Sequence, residues 1–452
     1  MEGGADVKRK PAALPLLILI LALALSSCMT KSAGELYSLP RRSDQYVQLQ
    51  QTINTIQESG AEFSAPTSGT NRQSVQLEDL DGDGTKEAIA FFSVPGDEKP
   101  LKIIIFRSED GEYSEAERIE SEGATIESVT YTDMNGDGHM EIVVGCQISA
   151  GMGILSLYTL RDLQATSLLS TDYTEYSVCD MSTDGLSDLV VMKLSSSDKF
   201  GSVVMYSMAN DGELVSSTAH LSLGVESVQR MRTGFLSDRT PVIFIEGTVN
   251  GPAMVTDIFA WHQEALRNIT VNPLSGISDD TVRTYNVYCT DINRDGVIEV
   301  PAPVQLPLSA PGAAAYWTID WYQYGAGGDR RRLFTTFHNY SDGWYLILPD
   351  GWRGNLSVHR EDTVSGERKL VFSLLSEESG EYRDFLAIYA LSGTNKEERL
   401  RLPGRFTLAR KDSIYAASFV TDPAELGLSL DADYLKENFG IIYSEWNTGE
   451  TH

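Results

Sequence analysis

Oxygen-bearing side chains recur in this chain at one fixed spacing. Asp79, Asp81, Asp83, Thr85 and Glu87 occupy positions 1, 3, 5, 7 and 9 of a nine-residue stretch, with Gly84 at position 6. The pattern returns as Asp133, Asn135, Asp137, His139 and Glu141, and again as Asp180, Ser182, Asp184, Leu186 and Asp188. A fourth copy runs through Asp291, Asn293, Asp295, Val297 and Glu299. Calcium is a hard cation that takes about six to eight oxygen ligands. Alternate residues of a tight loop can aim carboxylates at one point, and a glycine at position 6 permits the turn because it tolerates positive φ. Position 7 is expected to act through its backbone carbonyl, so Thr85, His139, Leu186 and Val297 need no ligand side chain, and His139 is expected to face solvent.

An EF-hand requires a bidentate acid at position 12 and flanking helices. Position 12 is Ala90, Val144, Val191 and Ala302, which excludes that motif. An apolar strand-like run follows each loop. Alternating residues precede it: Val75 and Leu77, Val129 and Tyr131, Tyr176 and Val178, Tyr285 and Val287. The predicted unit is strand, calcium loop, strand. The first aspartates stand 54, 47 and 111 residues apart, and the last gap leaves room for a worn copy near Ser237-Asp238-Arg239-Thr240. Periods of about 50 residues built from short strands indicate propellers or related arrays.

On these loops and their flanking strands the chain resembles the FG-GAP/VCBS repeat family, the calcium-loop β-propellers also found in integrin α-subunit heads. The second copy is the most similar, because Val144-Gly145-Cys146-Gln147 stands where the family has a Val-Gly-Ala-Pro-like turn. The resemblance implies a mainly β propeller over residues 70–340, with Ca2+ as its cofactor. Five blades are the first expectation, with six or seven as alternatives.

The remaining chain organises around that propeller. Lys8-Arg9-Lys10, the apolar stretch Leu14 to Leu25 and Leu25-Ser26-Ser27-Cys28 read as a lipoprotein signal peptide over residues 1–28, with Cys28 as the lipidated residue. Residues 29–69 read as a tether followed by a helix at Tyr46–Glu58, whose Tyr46, Leu49, Ile53 and Ile56 form one stripe ended by Gly60. Residues 341–452 are expected to form a C-terminal α+β domain. It should end in a helix capped by Asp431 and striped by Leu435, Phe439, Ile442 and Trp446. This organisation places the protein at a bacterial cell envelope, outside the cytoplasm and anchored to the membrane through Cys28.

Composition narrows the partners. There are 36 basic and 64 acidic residues, a net charge of −28, which argues against nucleic acid as a partner. Besides Cys28, the cysteines are Cys146, Cys179 and Cys289. They sit in or beside apolar strands and read as small buried residues rather than a disulfide framework. The aromatic run Tyr316, Trp317, Trp321, Tyr322 and Tyr324 reads as packing between strands. No catalytic motif is present: there is no HExxH, GxSxG or P-loop. The expected role is a binding or scaffold module for an envelope protein or glycan. The alternatives are a polysaccharide lyase or hydrolase, whose acids would converge in one pocket, and an envelope-assembly lipoprotein.

Overall fold

A computed structural model describes residues 44–109, 112–149, 151–194, 200–209, 212–362, 364–376 and 379–442. Cys28, the leader, the tether up to residue 43 and Trp446 lie outside the described residues. The described chain is mainly β and forms six antiparallel sheets in propeller-like succession. The first four are built as the repeat predicts. Val75–Glu78, Glu87–Ser93, Leu101–Glu109 and Glu112–Ser121 form the first, joined at one edge by Glu62–Phe63. Thr125–Thr132, Glu141–Ser149, Met152–Arg161 and Gln164–Tyr173 form the second. Glu175–Cys179, Asp188–Lys193, Ser202–Met208 and Leu214–His220 form the third. Val225–Phe235, Pro241–Val249, Ala253–His262 and Ala265–Asn268 form the fourth.

The second strand of each of these sheets is apolar almost throughout because both of its faces are buried, as in a central layer. In Glu87–Ser93, Ile89 and Phe91 turn toward Ile126, Ile142 and Val144 of the second sheet. Ala88, Ala90 and Phe92 turn the other way, onto Leu49 and Ile53 of the helix Asp44–Glu58. The expected stripe therefore docks on the outer face of the first sheet, and Gly60, at φ 102°, ends the helix. Successive sheets share apolar layers in the same manner. Val143 and Leu157 meet Leu189 and Val191, and Val190 and Met192 meet Ile243 and Phe259. Phe244 and Ile258 then meet Val300 and Tyr324.

The fifth sheet departs from the repeat. No strand forms at Tyr285–Val287; between Val282 and the fourth loop the described backbone makes only isolated bridges, Arg283 with Met254 and Thr290 with Glu299. An ionic cluster holds this segment instead. The buried Glu246 carboxylate accepts from Arg230 Nη2 at 2.6 Å, Arg283 Nη2 at 2.7 Å and the Cys289 amide at 2.8 Å. Arg283 Nε in turn donates to the Val287 carbonyl. Every group has a partner, which is what burial of charge requires. The sheet then runs Val300–Gln305, Trp317–Tyr324, Arg330–Asn339, Trp344–Leu348 and Phe439–Ile441.

A domain boundary at residues 340 and 341 would cut this sheet, because Thr335–Asn339 pairs with Trp344–Leu348. The sixth sheet comprises Leu356–Arg360, Glu367–Leu375, Tyr382–Leu391, Ile414–Phe419 and Phe406–Arg410. It packs Val358 and Phe372 against Phe337 and Trp344 of the fifth. The C-terminal helix is Ala432–Asn438, capped by the Asp431 carboxylate, which accepts from the Tyr434 amide at 2.8 Å. It stops short of the expected stripe because Phe439 enters a strand, where it stacks on Trp344 with centroids 5.4 Å apart.

Candidate metal centre

All four loops share one backbone design. The position-2 residues Leu80, Met134, Met181 and Ile292 are buried apolar pegs. Their amides donate to the position-9 carboxylates Glu87, Glu141, Asp188 and Glu299 at 2.9, 2.8, 2.8 and 3.0 Å. The position-6 amides donate to the first aspartate: Gly84 to Asp79, Gly138 to Asp133, Gly185 to Asp180 and Gly296 to Asp291. The position-7 amides of Thr85, His139, Leu186 and Val297 donate to Asp83, Asp137, Asp184 and Asp295. The acids of each loop are thus held by main-chain donors that favour the charged carboxylates.

Position 4 also takes a left-handed conformation, at Gly82, Gly136, Thr183 and Arg294 with φ 71°, 76°, 64° and 62°. The glycines of the first two copies were a visible signal of this; Thr183 and Arg294 were not. Gly82 carries a further demand, since a Cβ there would lie 2.5 Å from the Gly138 carbonyl oxygen. The Met140 amide donates to the Leu80 carbonyl, so the first two loops lock together.

The loops differ in what surrounds the position-9 acid. Thr159 donates to the second oxygen of Glu141 at 3.0 Å, Ser207 to Asp188 at 2.5 Å and Gln323 to Glu299 at 2.8 Å. These donors sit on the strand that pairs with the one following each loop, which the spacing of the loops does not reveal. In the first loop Arg107 follows Phe106, the partner of Ala88, and its guanidinium donates to the Asp162 carbonyl instead. One Glu87 oxygen is therefore left without a protein donor among the described residues. Asp79, Asp81 and Glu87 bring one oxygen each within 4.8 Å of one another, and Asp79 Oδ1 is buried with no partner. This donor set fits a hard cation. Burial raises the Glu87 carboxyl above the usual range, the Leu80 amide lowers it, and the Asp81, Asp83 and Asp79 charges raise it.

The fourth loop is satisfied from within the protein. Gln323 Nε2 also donates to Asp295 Oδ2 at 3.0 Å, and Asn293 Nδ2 donates to the same oxygen. Burial pushes the Glu299 carboxyl up to about 7, with Gln323 and the Ile292 amide opposing. The worn fourth-sheet copy is a short turn at Leu236–Thr240, and its Arg239 Nη2 donates to the Asp295 carbonyl at 2.8 Å. In the second loop Asn135 Nδ2 donates to Asp137 Oδ2. In the third, Ser182 Oγ is buried without a partner, an oxygen available to an ion. His139 does not project freely into solvent as expected: the residue is half-buried and its Nδ1 is enclosed.

The other expectations resolve as packing. Trp321 is fully buried and donates from Nε1 to Thr336 Oγ1, and Trp317 stacks on Tyr285 at 5.0 Å. Cys146 and Cys289 are buried, Cys179 is half-buried, and all three are free thiols.

No curated protein matches the chain. Among solved structures, a Bacillus subtilis levansucrase variant in complex with oligosaccharides is similar, at 10% identity over 67% of this chain and 92% of that one. Its TM-score is 0.23, too low to support any inference about this chain. The family described as the FG-GAP-like repeat matches residues 79–144, which span the first two loops and the strands between them. Over that segment the chain carries the repeat its loop spacing resembles, within a mainly β, propeller-like fold.

Proposed function

We propose that this protein is a calcium-stiffened, propeller-like binding or scaffold module, lipid-anchored through Cys28 at the outer side of a bacterial membrane. The observation that supports it best is the first loop, where three carboxylates converge and one buried aspartate oxygen lacks a partner. Without an ion these charges repel; with one, the loop and the Leu80 peg beneath it are fixed together. The ion's role is structural, and the sheets present the binding surface. An ion at about 100 times its dissociation constant adds about 2.7 kcal/mol per site. Thermal melts in EDTA and in millimolar calcium test the reading, and equal midpoints would overturn it. Cys28→Ser in cells tests the anchor: the protein should leave the membrane fraction, and retention would refute lipidation.

A further inference from the structure

The ends of the inner strands opposite the loops carry a second feature. Glu127 and Glu175 lie near the starts of Thr125–Thr132 and Glu175–Cys179, whereas the loops follow the ends of those strands. Together with Tyr173, Tyr176 and Ser128 they line a recess of about 330 Å3. A smaller recess of about 100 Å3 adjoins it and shares Glu127 and Tyr173.

The arrangement is built into the second sheet. The Tyr173 ring lies across two glycines: a Cβ on Gly153 would meet its ring at 2.5 Å, and one on Gly145 would meet its hydroxyl at 2.7 Å. Those glycines let the ring lie flat and place its hydroxyl on Glu127 Oε2 at 2.5 Å. Tyr176 meets Tyr173 edge-on at 5.7 Å, and its hydroxyl is shared with Ser128 Oγ at 2.8 Å.

The polar inventory is one-sided. The Tyr173 hydroxyl is committed to Glu127, and the Tyr176 and Ser128 hydroxyls are committed to each other. Glu175 has no hydrogen bond or ion pair among the described residues, and it is solvent-accessible at the mouth of the recess. Surrounding atoms raise its carboxyl above the usual range, and the Glu127 charge adds to this. No lysine, arginine or histidine lines either recess. The site offers acceptors, two negative charges and aromatic rings, and so rejects phosphates and carboxylates. A ligand that completes it brings N–H donors and positive charge, which tyrosine rings also favour.

We propose that the Glu127–Glu175 recess, walled by Tyr173 and Tyr176, binds an organic ammonium group on a short apolar stem, such as a lysine side chain or a diamine. This names a ligand class for the binding-module reading but does not depend on the calcium loops. The test is calorimetric titration of the protein beginning after Cys28 with cadaverine, run in calcium and again in EDTA, with maltotriose as the neutral comparison. Saturable cadaverine binding that weakens at least tenfold in Glu175→Gln, with an unchanged melting midpoint, is the expected result. Tyr176→Phe, which keeps the ring, should retain binding within about twofold. Absence of cadaverine binding in calcium, equal binding by Glu175→Gln, or preferential binding of maltotriose would overturn the proposal. Binding that persists while melts show no calcium effect would uphold the site and reject only the calcium reading.

Discussion

The first and fourth loops share one ligand spacing and have different surroundings. Loop one has four acids, and its position-9 glutamate keeps an oxygen free of protein donors. Loop four has three acids; Gln323 donates to two of them, Asp295 and Glu299, and Arg239 donates to the main-chain carbonyl of Asp295. A side-chain amide in loop four thus does part of the work that an ion would do in loop one. What decides the strength of a metal loop is therefore the neighbouring strand behind it as much as the nine residues themselves.

The sharpest way to break this comparison is to remove an acid from each loop. Glu87→Gln should abolish most of the calcium-dependent rise in melting temperature, whereas Glu299→Gln should remove little of it. Equal losses in calcium–EDTA melts would show that the two loops bind alike. A second route exchanges the donor. Gln323→Ala should cost about 1–3 kcal/mol in EDTA, because two carboxylates lose their partner, and a larger share should return on adding calcium than in the parent protein. Denaturant titration with and without the ion measures both values, and an equal loss in both conditions would dismiss Gln323 as a substitute for the ion.

The helix beneath loop one's sheet provides a control independent of metal. Ile53 is 2% exposed, so Ile53→Ala should destabilise by about 2–5 kcal/mol. That loss should be nearly the same in calcium and in EDTA; a strongly ion-dependent loss would tie the helix to the loop.

A further expected effect concerns pH. His338 is buried, and burial pushes its imidazole down to about 3. Below its ordinary value near 6.5 the unfolded chain takes up a proton that the folded chain refuses. Its contribution to stability is therefore fully present above pH 6.5 and lost as pH falls toward 3, at up to about 1.4 kcal/mol per pH unit. Comparing His338→Gln with the parent across that window should show a flatter acid limb; parallel curves would contradict the assignment.

The loops, their following strands and the docked helix were legible because each is written in local spacing. Asp79 to Glu87 carry their own ligands, and Leu49, Ile53 and Ile56 carry their own stripe. What was not legible depends on register. Thr159, Ser207 and Gln323 reach the position-9 acids only because the strand after each loop pairs with its next neighbour as it does. Tyr285 and Val287 alternate like a strand, yet the Arg283–Glu246 cluster holds that segment in another shape. Phe439 and Ile442 fit a helical stripe, but the unpaired edge of Trp344–Leu348 recruits Phe439–Ile441 as a strand. Apolar periodicity cannot weigh those competing partners.

That last pairing sets an order of events for a chain delivered from its N-terminus. The fifth sheet waits, with Trp344–Leu348 as an open border, until residue 441 has emerged, and the whole sixth sheet must form in the interval. A nascent chain halted anywhere between residues 350 and 438 would display the open outer edge of Trp344–Leu348, a natural target for chaperones or proteases. The strand Phe439–Ile441 thus forms the outer edge of the fifth sheet only after the residues of the sixth sheet have been made.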